Sequence, residues 1–260
     1  MPAREARRRR DADAVERLRA AGCVFAEDEA ALLAAEARSD EEFERMLRER
    51  VDGRPLEIVV GWAGFDGLRV IVDEQVFVPR RRTELLVELA AEHGGRVVVD
   101  LCCGSGAIGL ALARRLPGLE LHAADIHPAA VSTARRNLAG IGEVHEGDLF
   151  DALPRRLRGK IDLLAVNAPY VPTRAIADMP PEARNHEPLV TLDGGADGLD
   201  LHRRVAAEAG SWLAPGAALL IECGEPQAAA SAALFAARGF TARIEHDEDR
   251  AATVVVAIAP

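Results

Sequence analysis

The residues whose types and spacing could do chemistry fall in three short runs. The first is Val97-Val98-Val99-Asp100-Leu101-Cys102-Cys103-Gly104-Ser105-Gly106-Ala107-Ile108-Gly109, an apolar strand that ends in an acid, turns tightly through small residues and starts a helix at once. Gly104 and Gly106 carry no Cβ, so a ligand can approach the backbone there. The second is Glu120-Leu121-His122-Ala123-Ala124-Asp125, whose acid follows the glycines at roughly the spacing of the ribose-binding carboxylate in nucleotide folds. These two runs suit NAD and S-adenosylmethionine equally.

The third run separates those two cofactors. Asn167-Ala168-Pro169-Tyr170 follows the strand-like Asp162–Val166, at the sheet edge where open α/β folds bind ligands. A dehydrogenase has no need of it. An amide or aromatic amine, in contrast, has a nitrogen whose lone pair is delocalised and which attacks poorly unless it is oriented. The Asn167 side-chain oxygen and the Ala168 carbonyl can each accept one N–H of a planar NH₂ group, turning its nitrogen toward a methyl donor and stabilising the charge that develops there. Tyr170 supplies a flat wall, and Pro169 fixes the turn.

The elements that must hold these runs can be read from periodicity. Val15, Leu18, Leu32, Leu33, Phe43 and Leu47 recur at helical intervals and predict two or three N-terminal helices. Asp28 and Ser39 are the expected N-caps, with Gly22 and Gly53 as stops. Leu56–Val60 and Leu68–Val72 are β-branched and predict a hairpin with a longer loop. From residue 95 strand-like and helix-like segments alternate: Arg96–Leu101, Ala107–Arg115, Glu120–Ala124, Ala129–Leu138, Ile161–Val166, Leu201–Leu213 and Ala217–Cys223. That alternation predicts a parallel sheet covered on both faces, a doubly wound α/β fold. A helix over 227–238 then leads to Thr241–His246 and Thr253–Ile258, which should pair antiparallel across an Asp249-Arg250 turn. The expected division is a helical part at 1–52, a hairpin connector at 53–78 and a catalytic domain at 79–260.

A formal charge of −10 argues against a protein that wraps long nucleic acid. Cys23, Cys102, Cys103 and Cys223 show no metal-ligand spacing, and with no span-length apolar run or secretory signal they indicate free thiols in the cytoplasm, away from membranes. His122, His127 and His186 lie in separate segments, so no metal is expected. No His or Asp stands at the spacing that would activate Cys102 or Cys103 as a nucleophile. The Arg7–Arg10 run, set among Glu5, Asp11 and Asp13, reads as a solvated or frayed helix end, whereas Arg80–Arg82 is open between substrate contact and surface charge.

In this order the motifs resemble the release-factor glutamine methyltransferases, the PrmC/HemK family of class I S-adenosylmethionine-dependent enzymes. The likeness runs from Gly53 to the C-terminus through Gly53-Arg54-Pro55, Val78-Pro79-Arg80, Thr83-Glu84, Asp100–Gly106, Asp125, Gly147-Asp148-Leu149-Phe150, Asn167–Tyr170 and Glu187-Pro188. It implies a seven-stranded Rossmann-like sheet, no metal, and transfer of methyl to a glutamine side-chain amide in a protein such as a release factor with its Gly-Gly-Gln loop. It implies Cys102, Cys103, Gly104, Ser105 and Gly106 along the cofactor's amino-acid and ribose portions, Asp125 at the ribose, and Asp148 with Leu149 at the adenine. Asp100, Ile126 and Asn167 join that cofactor set, while Asn167, Ala168, Pro169 and Tyr170 grip the glutamine.

Three positions depart from the family pattern: Ala168 replaces a proline, Cys102 replaces the first glycine of the turn, and Arg81-Arg82 replace Pro-Asp. The N-terminal helical part, expected to help recognise the protein substrate, is also short. A nucleic-acid amino methyltransferase and a non-catalytic protein of the same fold are the competing readings.

Overall fold

The computed structural model describes residues 2–179 and 188–260, so His186 and Glu187 lie outside the described residues. The chain divides into two compact units, residues 1–62 and 63–260.

The first unit is built from α1 (Pro2–Ala20), α2 (Ala26–Glu36), α3 (Asp40–Val51) and the short α4 (Leu56–Val60). Leu18, Leu33, Phe43 and Leu47 form its core. Ser39 caps α3 as expected, its hydroxyl accepting from Glu42 N at 3.1 Å while Glu42 Oε2 accepts from Arg38 N at 2.8 Å. Asp28 is no cap: α2 starts at Ala26, and Asp28 lies in its first turn. Gly22 and Gly53 stop α1 and α3 in left-handed conformations. Arg10 belongs to no frayed end, because it pairs with Asp40 and lies over the Phe43 ring at 4.3 Å; the side chains of residues 7–9 are outside the described set. The buried Arg50 clamps Glu29 with two hydrogen bonds, 2.6 and 3.3 Å, tying α3 to α2.

Leu56–Val60 corrects the sequence expectation. Its composition favours a strand, yet helical spacing lets Leu56, Val59 and Val60 face the core of the helical unit, so packing overrides propensity. The hairpin is instead β1 (Trp62–Phe65) and β2 (Leu68–Ile71). Its loop is the two residues Asp66-Gly67, both at positive φ, which suits the twist of tight hairpins.

The second unit continues with α5 (Glu84–His93), β3 (Val97–Leu101), α6 (Ala107–Arg115), β4 (Glu120–Asp125), α7 (Pro128–Asn137), β5 (Gly142–Glu146) and β6 (Ile161–Val166). It ends with α8 (Asp200–Glu208), β7 (Leu213–Glu222), α9 (Ala228–Ala236), β8 (Thr241–Asp247) and β9 (Ala252–Ile258). The sheet order is β5-β4-β3-β6-β7-β9-β8, with the first five strands parallel and β9 antiparallel to both its neighbours. Neighbouring residues along β3 and β6 enter opposite core clusters, Val98 and Leu163 on one face, Val99 and Leu164 on the other. Such double burial explains the continuous apolar runs. Strand β5 was not among the segments expected from sequence; its Gly-Glu-Val-His-Glu is polar because it forms an edge. The Asp249-Arg250 turn also holds α5, since Arg250 donates to both oxygens of Glu88 at 2.8 and 2.6 Å.

No helix among the described residues is long and apolar enough to cross a membrane. Replacing Glu29 by Ala removes the carboxylate from a buried guanidinium that keeps its bond to Arg54 O, and is expected to cost about 3–5 kcal/mol, read by urea unfolding. A loss under about 1 kcal/mol would contradict the assigned weight of that pair.

Candidate active site

The strand order reverses between β3 and β6, which places a crevice at their carboxyl ends. A cavity of about 810 Å³ opens there, lined by residues following β3, β4 and β6, by 77–83 and by 189–204. Register explains the convergence. Ala124, Leu101, Val166 and Ile221 stand side by side across β4, β3, β6 and β7. One residue further along come Asp125, Cys102, Asn167 and Glu222.

Asp125 lines the cavity with both carboxylate oxygens anchored: Oδ2 accepts from Gly104 N at 2.9 Å and Oδ1 from His127 N at 2.8 Å. Each oxygen keeps a lone pair for a ribose hydroxyl. Burial raises its carboxyl above the usual range while those N–H donors pull it down. Gly104 and Ser105 line the cavity beside it, and a Cβ on Gly104 would meet no protein atom. Gly106 is different from expectation. It does not line the cavity, and a Cβ there would crowd Leu138 at 3.1 Å, so at φ 78° it serves the packing of α7.

Cys102 takes φ 59°, a left-handed conformation that a glycine would adopt without strain. Burial raises its thiol well above the usual range, which disfavours the thiolate form. Ile126, Asp148 and Leu149 form another wall, where Ile126 is 55% exposed and Asp148 receives Arg204 at 2.8 Å. An exposed apolar side chain beside a cleft suits a flat base.

Asp100 does not line the cavity. It is fully buried, its Oδ2 accepting from Gly109 N at 2.9 Å and so holding the start of α6 against β3. The other oxygen, Oδ1, has no partner among the described residues, and burial pushes the carboxyl up to about 8.

The third motif sits on the same cavity. Thr83 gives its hydroxyl proton to Glu222, so its Oγ1 accepts from Asn167 Nδ2 at 3.3 Å and leaves Asn167 Oδ1 without a partner among the described residues. Ala168 is buried, whereas Tyr170 donates its hydroxyl to the buried Glu222 at 2.9 Å. Burial raises Glu222, opposed by the Thr83 hydroxyl, Arg82 and Tyr170; burial and Glu222 in turn raise the Tyr170 phenol. The arginine run divides by role: Arg82 approaches Glu222 at 3.5 Å and the Tyr170 ring at 6.0 Å, Arg80 lies over Phe77 at 5.3 Å, and Arg81 is exposed and does not line the cavity.

Sequence reasoning missed the loop that braces this motif. Gly194 N donates to Val171 O at 2.9 Å, and Gln227 Nε2 donates to Tyr170 O at 2.8 Å. A Cβ at Gly194 would strike Tyr170 Cα at 2.7 Å, and one at Gly198 would strike Tyr170 O at 2.2 Å. Three glycines in Gly194-Gly195-Ala196-Asp197-Gly198 were the signal available. The approach of His145 was missed too: on the β4–β5 edge His122 faces His145 and Glu143.

A doubly wound seven-stranded sheet with an antiparallel last pair, an anchored acid after β4 and a cavity over its switch point defines a class I S-adenosylmethionine-dependent methyltransferase. Residues 69–180 match the family described as Methyltransferase small domain. A methyltransferase structure from Pyrococcus furiosus shares the fold, with TM-score 0.56 and 14% identity over 74% of this chain and 88% of that one. The release factor glutamine methyltransferase of Geobacter sulfurreducens is 36% identical over 201 residues, 75% of this chain and 69% of that protein. That of Deinococcus radiodurans is 38% identical over 82% of this chain and 76% of that protein. A 4-amino-L-phenylalanine/4-methylamino-L-phenylalanine methyltransferase of Streptomyces pristinaespiralis is 37% identical over 76% of this chain and 70% of that protein. The chain belongs to the release factor glutamine methyltransferase family.

Two measurements test these assignments. Thr83→Val frees the Asn167 amide to flip, and kcat is expected to fall roughly 3- to 10-fold with cofactor affinity retained; unchanged kcat would contradict the orienting role. Asp100 has a carboxyl raised on folding, so its contribution to stability is full below about pH 4 and is lost as pH rises through 8. Asp100→Asn removes that loss, so its melting temperature should gain on the parent between about pH 5 and 8. A difference that stays constant with pH would contradict it.

Proposed function

We propose that the chain transfers a methyl group from S-adenosylmethionine to the side-chain amide nitrogen of a glutamine in a protein, with the Gly-Gly-Gln loop of a peptide chain release factor as the acceptor. The observation that carries this reading is the Asn167 oxygen, left free by the bond to Thr83 and set on the same cavity as Asp125. The cofactor, when bound, supplies an electrophilic methyl on a sulfonium.

This chain's residues do the rest. Asp125 accepts the ribose hydroxyls, Cys102–Ser105 border the amino-acid portion, and Ile126, Asp148 and Leu149 border the adenine. Asn167 Oδ1 and the Ala168 carbonyl each take one amide N–H, presenting the nitrogen lone pair and stabilising the positive charge that grows as methyl arrives, until the methylated nitrogen gives up one proton to solvent. Pro169 and the Tyr170 ring, fixed by Glu222, confine the amide plane. The replacement at Ala168 leaves the accepting carbonyl in place, because that group is main chain. Residues 1–52 recognise the protein substrate, residues 53–78 connect, and residues 79–260 carry the reaction.

The resemblance to the Streptomyces pristinaespiralis enzyme favours a second reading, a free aromatic amine as acceptor. Arg80 and Arg82 on the cavity would then receive its carboxylate. Incubation with labelled cofactor and a release factor, followed by mass spectrometry, is expected to place the label on one glutamine and to lose it at least 100-fold in Asn167→Ala, with cofactor binding spared. Label found only in nucleic acid, or only in a free amine, would overturn the proposal.

A further inference from the structure

On the sheet edge away from the substrate motif, β4 and β5 bring together four side chains that the methyl-transfer reading does not use. Glu120 and His122 are two apart on β4, and Glu143 and His145 are two apart on β5, so each pair shares a face of the sheet. The register sets His122 directly opposite Glu143. All four therefore project from one face.

Their geometry is that of a ligand set. His122 Nδ1 lies 3.0 Å from His145 Nε2, and Glu143 Oε2 lies 3.9 Å from each of those nitrogens. A point equidistant from three atoms so spaced is about 2.1 Å from each, the bond length of zinc to imidazole nitrogen and carboxylate oxygen. The outer contacts are also in place. Glu120 Oε1 is 3.1 Å from His122 Nε2, which puts the proton on that nitrogen and turns the Nδ1 lone pair inward. Arg156 donates to Glu143 Oε1 at 2.9 Å and leaves Oε2 for the cluster. His122 is fully buried, while Glu143 is 58% exposed and gives an ion a path from solvent.

We propose that His122, His145 and Glu143 form a binding site for a zinc-like divalent cation, with water completing the shell and Glu120 orienting His122. Without the ion, the His145 Nε2 proton bridges to His122 Nδ1. Binding moves that proton to the other nitrogen of His145, and both facing nitrogens become donors of lone pairs. The ion would staple the edge strand β5 to β4, just ahead of Gly147-Asp148-Leu149 on the cavity wall.

The test is titration of the tag-free chain with Zn²⁺, and with Co²⁺ for its spectrum, alongside Glu143→Gln, His145→Gln and Glu120→Gln. All three sites are partly exposed, and circular dichroism checks each variant's fold. One ion per chain is expected, with a cobalt spectrum free of thiolate charge transfer. Affinity should drop at least tenfold in Glu143→Gln and His145→Gln, and roughly 10- to 100-fold in Glu120→Gln, which keeps all three ligands. Binding should weaken as the solution is made acid, because protons compete with the ion for the ligand lone pairs. No binding at millimolar Zn²⁺ would reduce the cluster to a histidine hydrogen bond and overturn the proposal. So would undiminished binding in the variants, or a thiolate band that moves the ion to a cysteine.

Discussion

Val166, the last residue of β6, is held in register by Leu101 of β3 on one side and Ile221 of β7 on the other. The whole site hangs on that row. Because Ala124 of β4 extends it, the residues that follow, Asp125, Cys102, Asn167 and Glu222, emerge together at one edge. A slip of one residue in β6 would point Asn167 to the opposite face and break every relation around the cavity. The buried apolar faces of β3, β6 and β7 prevent that slip, so the packing of the sheet and the geometry of the chemistry have one origin.

Strand ends alone do not fix side chains. Thr83 settles which way the Asn167 amide turns, and Glu222 settles where the Tyr170 hydroxyl goes. The glycines at 194 and 198 let a second loop lie against the backbone of Pro169 and Tyr170 more closely than any side chain permits. Asp125 is anchored by two backbone N–H groups before any ligand arrives. On the proposed reading, an acceptor amide meets a site whose polar atoms are already aimed, which is how a weak nitrogen nucleophile can be made to react without covalent help.

Much of this was legible in the residues. Ile161–Val166 and Ala107–Arg115 have the bounds that their periodicity implies, and the antiparallel pairing of the last two strands followed from the short gap between them. The failures have physical causes. Leu56–Val60 has strand composition but packs by helical spacing onto a neighbouring core. Strand β5 is a polar edge without an apolar signature, and overlooking it hid the approach of His145 to His122. The Asp100 carboxyl reads like a ligand contact because it ends a strand beside the glycine turn, yet it faces α6. Which side of a strand end a residue faces is set by tertiary packing, and sequence spacing does not carry it.

The central claim is that two acceptors hold the two N–H bonds of one planar nitrogen. A nitrogen already methylated keeps only one N–H and brings a methyl group to the place of the other. Exhaustive reaction of a release factor with excess S-adenosylmethionine, followed by intact-peptide mass spectrometry, reads this directly. The account predicts that addition stops at a single methyl on the glutamine nitrogen. Accumulation of a dimethylated nitrogen would contradict it.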